Sequence, residues 1–295
     1  MQKIKFSTSM GEVVINDVNS SHIGGAYRKL GLSEFDGNSQ NLILNTIKCI
    51  DMPGQRTIST TPDAKAITAK ITFAPLYYEE NRLICRGERG MHELRREVLR
   101  LFPLGVNGIL KYTNDTGSYM IAARLDESPK ITVKGGYFCE CTLIFTADYP
   151  YWSRTVSSGI YSAKADEPVT IISNEWGDME SPVSGLITCI EETGASGFRL
   201  QNVNGSGRID FYGVMKVGQQ LSFSLEYNNE LVIKTRYLEE GSYGPWFSAY
   251  ERLCYTELWP PCRNGTAPTK FLFSVLSSSG ALDIELNFHN LFAVV

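Results

Sequence analysis

Apolar residues recur at every second position through much of the chain, the pattern of half-buried antiparallel strands. Ile67, Ala69, Ile71 and Phe73 share one side of a predicted strand, with Thr68, Lys70 and Thr72 on the other. Tyr119, Ile121, Ala123 and Leu125 repeat the pattern. A longer strand is predicted from Lys130 to Thr146, with Ile131, Val133, Tyr137, Cys139, Cys141, Leu143 and Phe145 on one side and Gly135-Gly136 as a bulge or bend within it. In the last third, Leu221, Phe223, Leu225 and Tyr227 alternate with polar residues. Asn228-Asn229 is read as their turn and Leu231-Val232-Ile233 as the returning strand. A second hairpin is predicted to join Phe271–Leu276 to Leu282, Ile284, Leu286 and Phe288 through Ser277-Ser278-Ser279-Gly280.

One segment switches to helical spacing. Leu94, Val98 and Leu101, widened by Met91 and Phe102, predict a helix over residues 91–102, preceded by Gly90 and stopped by Pro103. Arg95, Arg96 and Arg100 lie off its apolar stripe, among Glu93 and Glu97. After Tyr149-Pro150-Tyr151-Trp152 the stretch Ser153–Pro168 loses periodicity, which places a boundary there. The expected organisation is mainly β: two β-rich domains of nearly equal length, residues 1–152 carrying the helix and residues 153–295, with short strands whose spacing suggests a sandwich or barrel.

Composition narrows the class. The 28 Lys and Arg nearly balance the 32 Asp and Glu, for a net charge of -4, so no general electrostatic pull toward nucleic acid or anionic lipid is expected. No apolar run reaches membrane-spanning length, and the first residues, Met1–Ser7, lack the apolar core of a signal peptide. The seven cysteines (49, 85, 139, 141, 189, 254 and 262) are odd in number and scattered, and read as free thiols of a reducing compartment. Sequons at Asn114, Asn204 and Asn264 matter only in a secretory pathway.

Candidate chemistry is sparse. His22, His92 and His289 have no metal-ligand spacing, and neither an HExxH motif nor paired CxxC motifs occur. Cys139-Glu140-Cys141 places two thiols on one strand face, where packing is the simpler use. Gly24-Gly25 and Gly31 read as turns, and Glu79-Glu80, Glu191-Glu192 and Glu239-Glu240 as solvated loops. No catalytic, cofactor or metal residue is assigned, and an enzyme is not expected. A glycosidase built from carboxylates on distant strands has no candidate pair. Arg82, Arg86, Arg89, Arg95, Arg96 and Arg100 form the densest basic stretch, read as a solvated or subunit-contacting face. Tyr243, Trp246, Phe247, Tyr250, Tyr255 and Trp259, among Gly241, Gly244, Pro245, Pro260 and Pro261, pack, anchor an interface, or stack on a sugar. The alternative function is therefore a carbohydrate-binding adhesion module.

Read in order, five segments resemble the distal tail protein (Dit) family of tailed bacteriophages. They are Met52–Arg56, Glu93–Phe102, Leu110–Tyr112 with Tyr119–Leu125, Cys141–Trp152, and Gly177–Ile187. Tyr149 separates Asp148 from Pro150, a departure from the family's junction. The resemblance implies that the first domain, residues 1–152, is β-barrel-like with one helix and closes a hexameric ring, and that the second, residues 153–295, is a galectin-like β-sandwich projecting outward. It implies a structural hub, without cofactor, at the virion tail tip, assembled in the bacterial cytoplasm. Its implied partners are further copies of itself, the tail tube protein, a tail-tip hub or tail-associated lysin, and a receptor-binding protein. Sequence-specific nucleic-acid binding and membrane insertion are not implied, and partner or glycan contacts are not assigned to residues.

Overall fold

The computed structural model describes residues 2–16, 22–23, 26–27, 30–38, 42–48, 55–74, 76–79, 82–85, 87–134, 138–173, 177–178, 183–204, 207–225, 231–249, 251, 253–255, 268–277 and 279–295. The chain divides into two compact units, Met1–Trp152 together with Ala293–Val295, and Ser153–Phe292. Both are antiparallel β structures, and the single helix among the described residues lies in the first.

In the first unit, strands Gly11–Ile15, Lys3–Thr8, Gly108–Asn114 and Gly117–Leu125 are consecutive neighbours. Gly117–Leu125 then meets Phe138–Ala147, which pairs along its length with Lys65–Phe73, and that strand pairs with Gly31–Asp36. Beyond the first strand, the Asn16 amide donates to the Leu30 carbonyl at 2.8 Å, just before the last strand begins. That bond brings the two ends of the sheet together, and the unit is barrel-like. Alternation explains the filling: Phe6, Leu110, Ile67, Ile71 and Phe145 are buried, with Phe6 edge-on to Phe145 at 5.0 Å.

The helix spans Gly87–Leu101, a turn earlier at its start than the apolar stripe predicts. Glu88 in the first turn and Arg100 in the last complement the helix dipole, which periodicity of apolar residues does not register. Met91, Leu94 and Val98 are buried, and Phe102 follows the helix onto Phe6.

Two expectations are corrected. The stretch Lys130–Thr146 is not one strand: Lys130–Lys134 pairs antiparallel with Phe138–Ala147, Lys134 opposite Phe138, and Gly135-Gly136 lies outside the described residues. Ile131 and Val133 still share a face with Cys141 and Cys139, because directly opposed residues in a hairpin point the same way. Ser153–Pro168, weakly periodic in the sequence, is mostly the strand Trp152–Lys164, in which only Trp152 and Ala163 are buried and Ile160 is exposed, so apolar alternation does not show.

The last three residues belong with the first unit rather than with 153–295. Lys65, fully buried, donates from Nζ to the Ala293 carbonyl at 2.6 Å, and the Val295 amide donates to Asn38 Oδ1 at 3.0 Å. Burial pushes the Lys65 amine below the ordinary lysine range, and the Asp36 carboxylate partly offsets this.

The second unit is a two-sheet sandwich. One sheet orders Trp152–Lys164, Ala281–Phe292, Val183–Cys189, Gln220–Leu225, Leu231–Arg236 and Phe247–Ser248; the other orders Val169–Ser173, Thr269–Val275, Ala195–Asn202, Arg208–Met215 and Leu253–Tyr255. Inward residues of both sheets make one core, including Phe198, Phe211, Phe223, Phe271, Phe273 and Phe288. The predicted hairpin between Phe271–Leu276 and Leu282–Phe288 is overturned, since those strands lie in opposite sheets. Their alternation reflects facing layers instead, with Phe271 stacked on Phe288 at 5.8 Å between ring centres. The pairing of Leu225 with Leu231 matches the other expected hairpin, whose turn lies outside the described residues. A bulge at Gly197 needs glycine: its φ is +85°, and a Cβ would meet the Phe211 carbonyl at 2.3 Å.

Candidate functional site

The first unit presents edges and mixed apolar-basic surface. Lys130–Lys134 and Gly31–Asp36 each pair on one side only among the described residues. Next to the first of these edges, Val133 and Phe138 are 46% and 45% exposed, flanked by the Lys134–Glu140 ion pair at 2.6 Å. An edge carrying both lysines and exposed apolar side chains discourages indiscriminate pairing yet offers a partner apolar contact. On the helix, Arg89 pairs with Glu93 at 3.3 Å, while Arg96, Leu99 and Arg100 are exposed. The side chains of Arg82 and Arg86 lie outside the described residues, as do Gly24-Gly25, the turn Met52–Gly54, and Met179–Pro182 of the sandwich entry.

Cys139 and Cys141 are fully buried and point into the first core. Burial pushes the Cys141 thiol up to about 12, which suits packing and opposes thiolate chemistry. Cys139 lies 2.9 Å from Met91 on the helix. Among the described residues no group of three or more His, Cys, Asp or Glu is placed to hold a metal ion.

His289, unassigned in the sequence, sits among partners that periodicity could not name. Its Nδ1 is 3.0 Å from the Thr155 hydroxyl and its Nε2 2.7 Å from that of Ser184, one on each neighbouring strand. Burial lowers its pKa, favouring the neutral imidazole. The pair Ser184–His289 has the separation of a nucleophile and its base, but a hydroxyl stands where a carboxylate would stabilise the imidazolium. Along the same two strands Ser157 donates to Glu285 at 2.6 Å, continuing a row of polar links across the sheet. On the facing sheet Asp210 is buried, held by Arg199 at 2.8 Å and Arg208 at 3.0 Å. Burial alone would raise the Asp210 carboxyl, but the two arginines and the Tyr212 hydroxyl outweigh it and hold it below its usual range.

The aromatic cluster singled out in the sequence divides. Tyr250 and Trp259 lie outside the described residues, and Tyr255 is described only as strand backbone. Tyr243 and Trp246 bracket the Arg236 guanidinium, which lies 4.3 and 4.4 Å from their ring centres. Arg236 also donates Nε and Nη2 to Gln220 Oε1 at 2.8 and 2.6 Å, so both rings have one face committed within the unit. Phe247 is 53% exposed and stands at the mouth of a cavity of about 300 Å³ lined also by Phe211, Gln219, Thr235, Tyr237, Ser248 and Glu251. At its base Gln219 donates to Thr235 Oγ1 at 2.8 Å, and Thr235 donates to the Gln220 carbonyl at 3.0 Å.

No protein-family profile and no curated protein sequence matches the chain. The fold of this chain, a barrel-like unit with one helix followed by a β-sandwich, is similar to that of a solved phage hub protein. The particular likeness is to the crystal structure of the SPP1 Dit protein, described as a paradigm of the hub adsorption apparatus in phages infecting Gram-positive bacteria. The two align at a TM-score of 0.55 and 10% identity, over 88% of this chain and 93% of that one. A chain of the phage P2 baseplate in its activated conformation with Ca aligns at 0.47 and 12% identity, over 98% of each chain. Its counterpart with Sr aligns at 0.46 and 11%, over 97% of this chain and 98% of that one. Among the described residues no helix is long and apolar enough to cross a membrane.

Proposed function

We propose that this chain is a structural distal tail protein of a phage or prophage-derived tail, forming a hexameric hub at the tail tip. The hub joins the tail tube protein to the tail-tip hub or tail-associated lysin and carries receptor-binding protein, after assembly in the bacterial cytoplasm. The observation that carries this reading is the likeness to SPP1 Dit through nearly the full length of both chains, at a TM-score of 0.55. Support comes also from the first unit, whose edge strands and exposed Val133 and Phe138 suit coverage by a neighbouring copy. The role is non-catalytic: Ser184–His289 has a hydroxyl in the orienting position, and the thiols of Cys139 and Cys141 are buried.

Light scattering on the purified chain, followed by negative-stain microscopy, tests the reading. The expected result is a particle of six chain masses with an open centre, alone or once tail tube and tip proteins are added. A chain that stays monomeric with both proteins present refutes it.

A further inference from the structure

The cavity beside Phe247 is lined by residues of the second unit. We propose that it is a saccharide-binding site, accommodating one pyranose ring with its apolar face on Phe247. The volume of about 300 Å³ is at the small end of ligand pockets, which suits one ring. Its walls are of two kinds. Phe247 and Tyr237 supply aromatic surface, while Ser248, Glu251 and the Gln219–Thr235 pair supply hydroxyl, carboxylate and amide groups. A pyranose has the same division, with C–H groups on one face and hydroxyls around its edge. A purely apolar ligand would leave Glu251 and Ser248 to be desolvated without partners.

The polar groups are pre-set rather than free to turn. Gln219 accepts from the Lys216 amide at 3.0 Å and spends one Nε2 hydrogen on Thr235, leaving the other for a hydroxyl. Behind them Arg236, bracketed by Tyr243 and Trp246, holds the strand that carries Thr235 and Tyr237. Of the six rings that the sequence offered for sugar stacking, Tyr243 and Trp246 are thus supports with a face already occupied, and Phe247 is the stacking ring. Host-surface glycans are the source of saccharide that a tail-tip location would present. That one clause rests on the hub reading; the site itself does not.

The test is a glycan array bearing cell-wall and exopolysaccharide fragments (N-acetylglucosamine, glucose, galactose and rhamnose oligomers) probed with the full chain. The retained sugar is then titrated against wild type, Phe247→Ala, Glu251→Gln and the remote control Val214→Ser. The expected result is millimolar to high-micromolar binding, weakened at least tenfold by Phe247→Ala and by Glu251→Gln, and unchanged by Val214→Ser. Melting temperature and particle mass, read on the same samples, stay at wild-type values. Retention of no saccharide overturns the inference, as does binding that both site variants leave intact or that Val214→Ser weakens equally. Ring formation without saccharide binding refutes the site and leaves the hub; binding by a persistent monomer refutes the hub and leaves the site.

Discussion

Trp152→Phe should destabilise the first unit by about 3 kcal/mol, and each part of that figure has a structural origin. Trp152 is fully buried, and its Nε1 donates to the Gly37 carbonyl at 3.0 Å. Phenylalanine keeps the ring contacts with Phe35 and Tyr112 but removes the donor, leaving a buried carbonyl unsatisfied at a cost of about 1–3 kcal/mol. The two lost ring carbons add about 0.8 kcal/mol each. Equilibrium urea unfolding followed by circular dichroism measures the change. Hydrogen exchange across Lys65–Phe73 identifies which transition belongs to the first unit. Trp246→Phe, at an exposed position, is the control and should cost under about 1 kcal/mol. A change below about 1 kcal/mol for Trp152→Phe would refute the reasoning, because it would mean the Gly37 carbonyl finds water or another donor.

Gly37→Ala should act on the same contact: a Cβ there would lie 2.9 Å from the Phe35 ring and 3.0 Å from Trp152 Cζ2, costing about 1–3 kcal/mol in the same unfolding assay. Cys139, Cys141 and Cys189, all buried with raised thiol pKa values, should resist a thiol reagent at pH 8 in the native state and label fully in denaturant, as peptide mass mapping would read. The Asp210 carboxyl is depressed in the folded state, so it contributes stability above about pH 4 that disappears as pH falls through its folded pKa. Asp210→Asn should therefore lower the melting temperature at pH 7 and flatten its fall on acidification; an unchanged acid slope would count against the pairing. Arg236→Ala should lose the near-ultraviolet signal of Trp246 at a stability cost of about 1 kcal/mol, checked by circular dichroism and thermal melting.

Alternation was enough to find Lys65–Phe73 and Gly117–Leu125, each with one face buried. It could not find Trp152–Lys164, where only Trp152 and Ala163 are buried and the positions between them are half-buried or exposed, Ile160 among the exposed. Nor could it distinguish a hydrogen-bonded neighbour from a strand in the facing sheet: Phe271 and Phe288 alternate in phase because they share a core. The candidate site was half legible. Aromatic density marked the region, but Gln219, just before Gln220–Leu225, and Thr235, within Leu231–Arg236, look solvent-facing in sequence. That Arg236 would occupy Tyr243 and Trp246 depends on a turn geometry that residue type does not encode. His289 illustrates the same limit, since its partners Thr155 and Ser184 are brought beside it only by strand order.

The buried Lys65 amine and its acceptor, the Ala293 carbonyl, are 228 positions apart in the chain. The first unit therefore satisfies a buried cation with backbone that the chain supplies only after the whole of Ser153–Phe292. Without that carbonyl the amine loses its acceptor, and the first unit is left incomplete. The same dependence applies at the bench: a fragment cut after Trp152 lacks Ala293, so a faithful excision of the first unit has to carry residues 293–295 back on a linker.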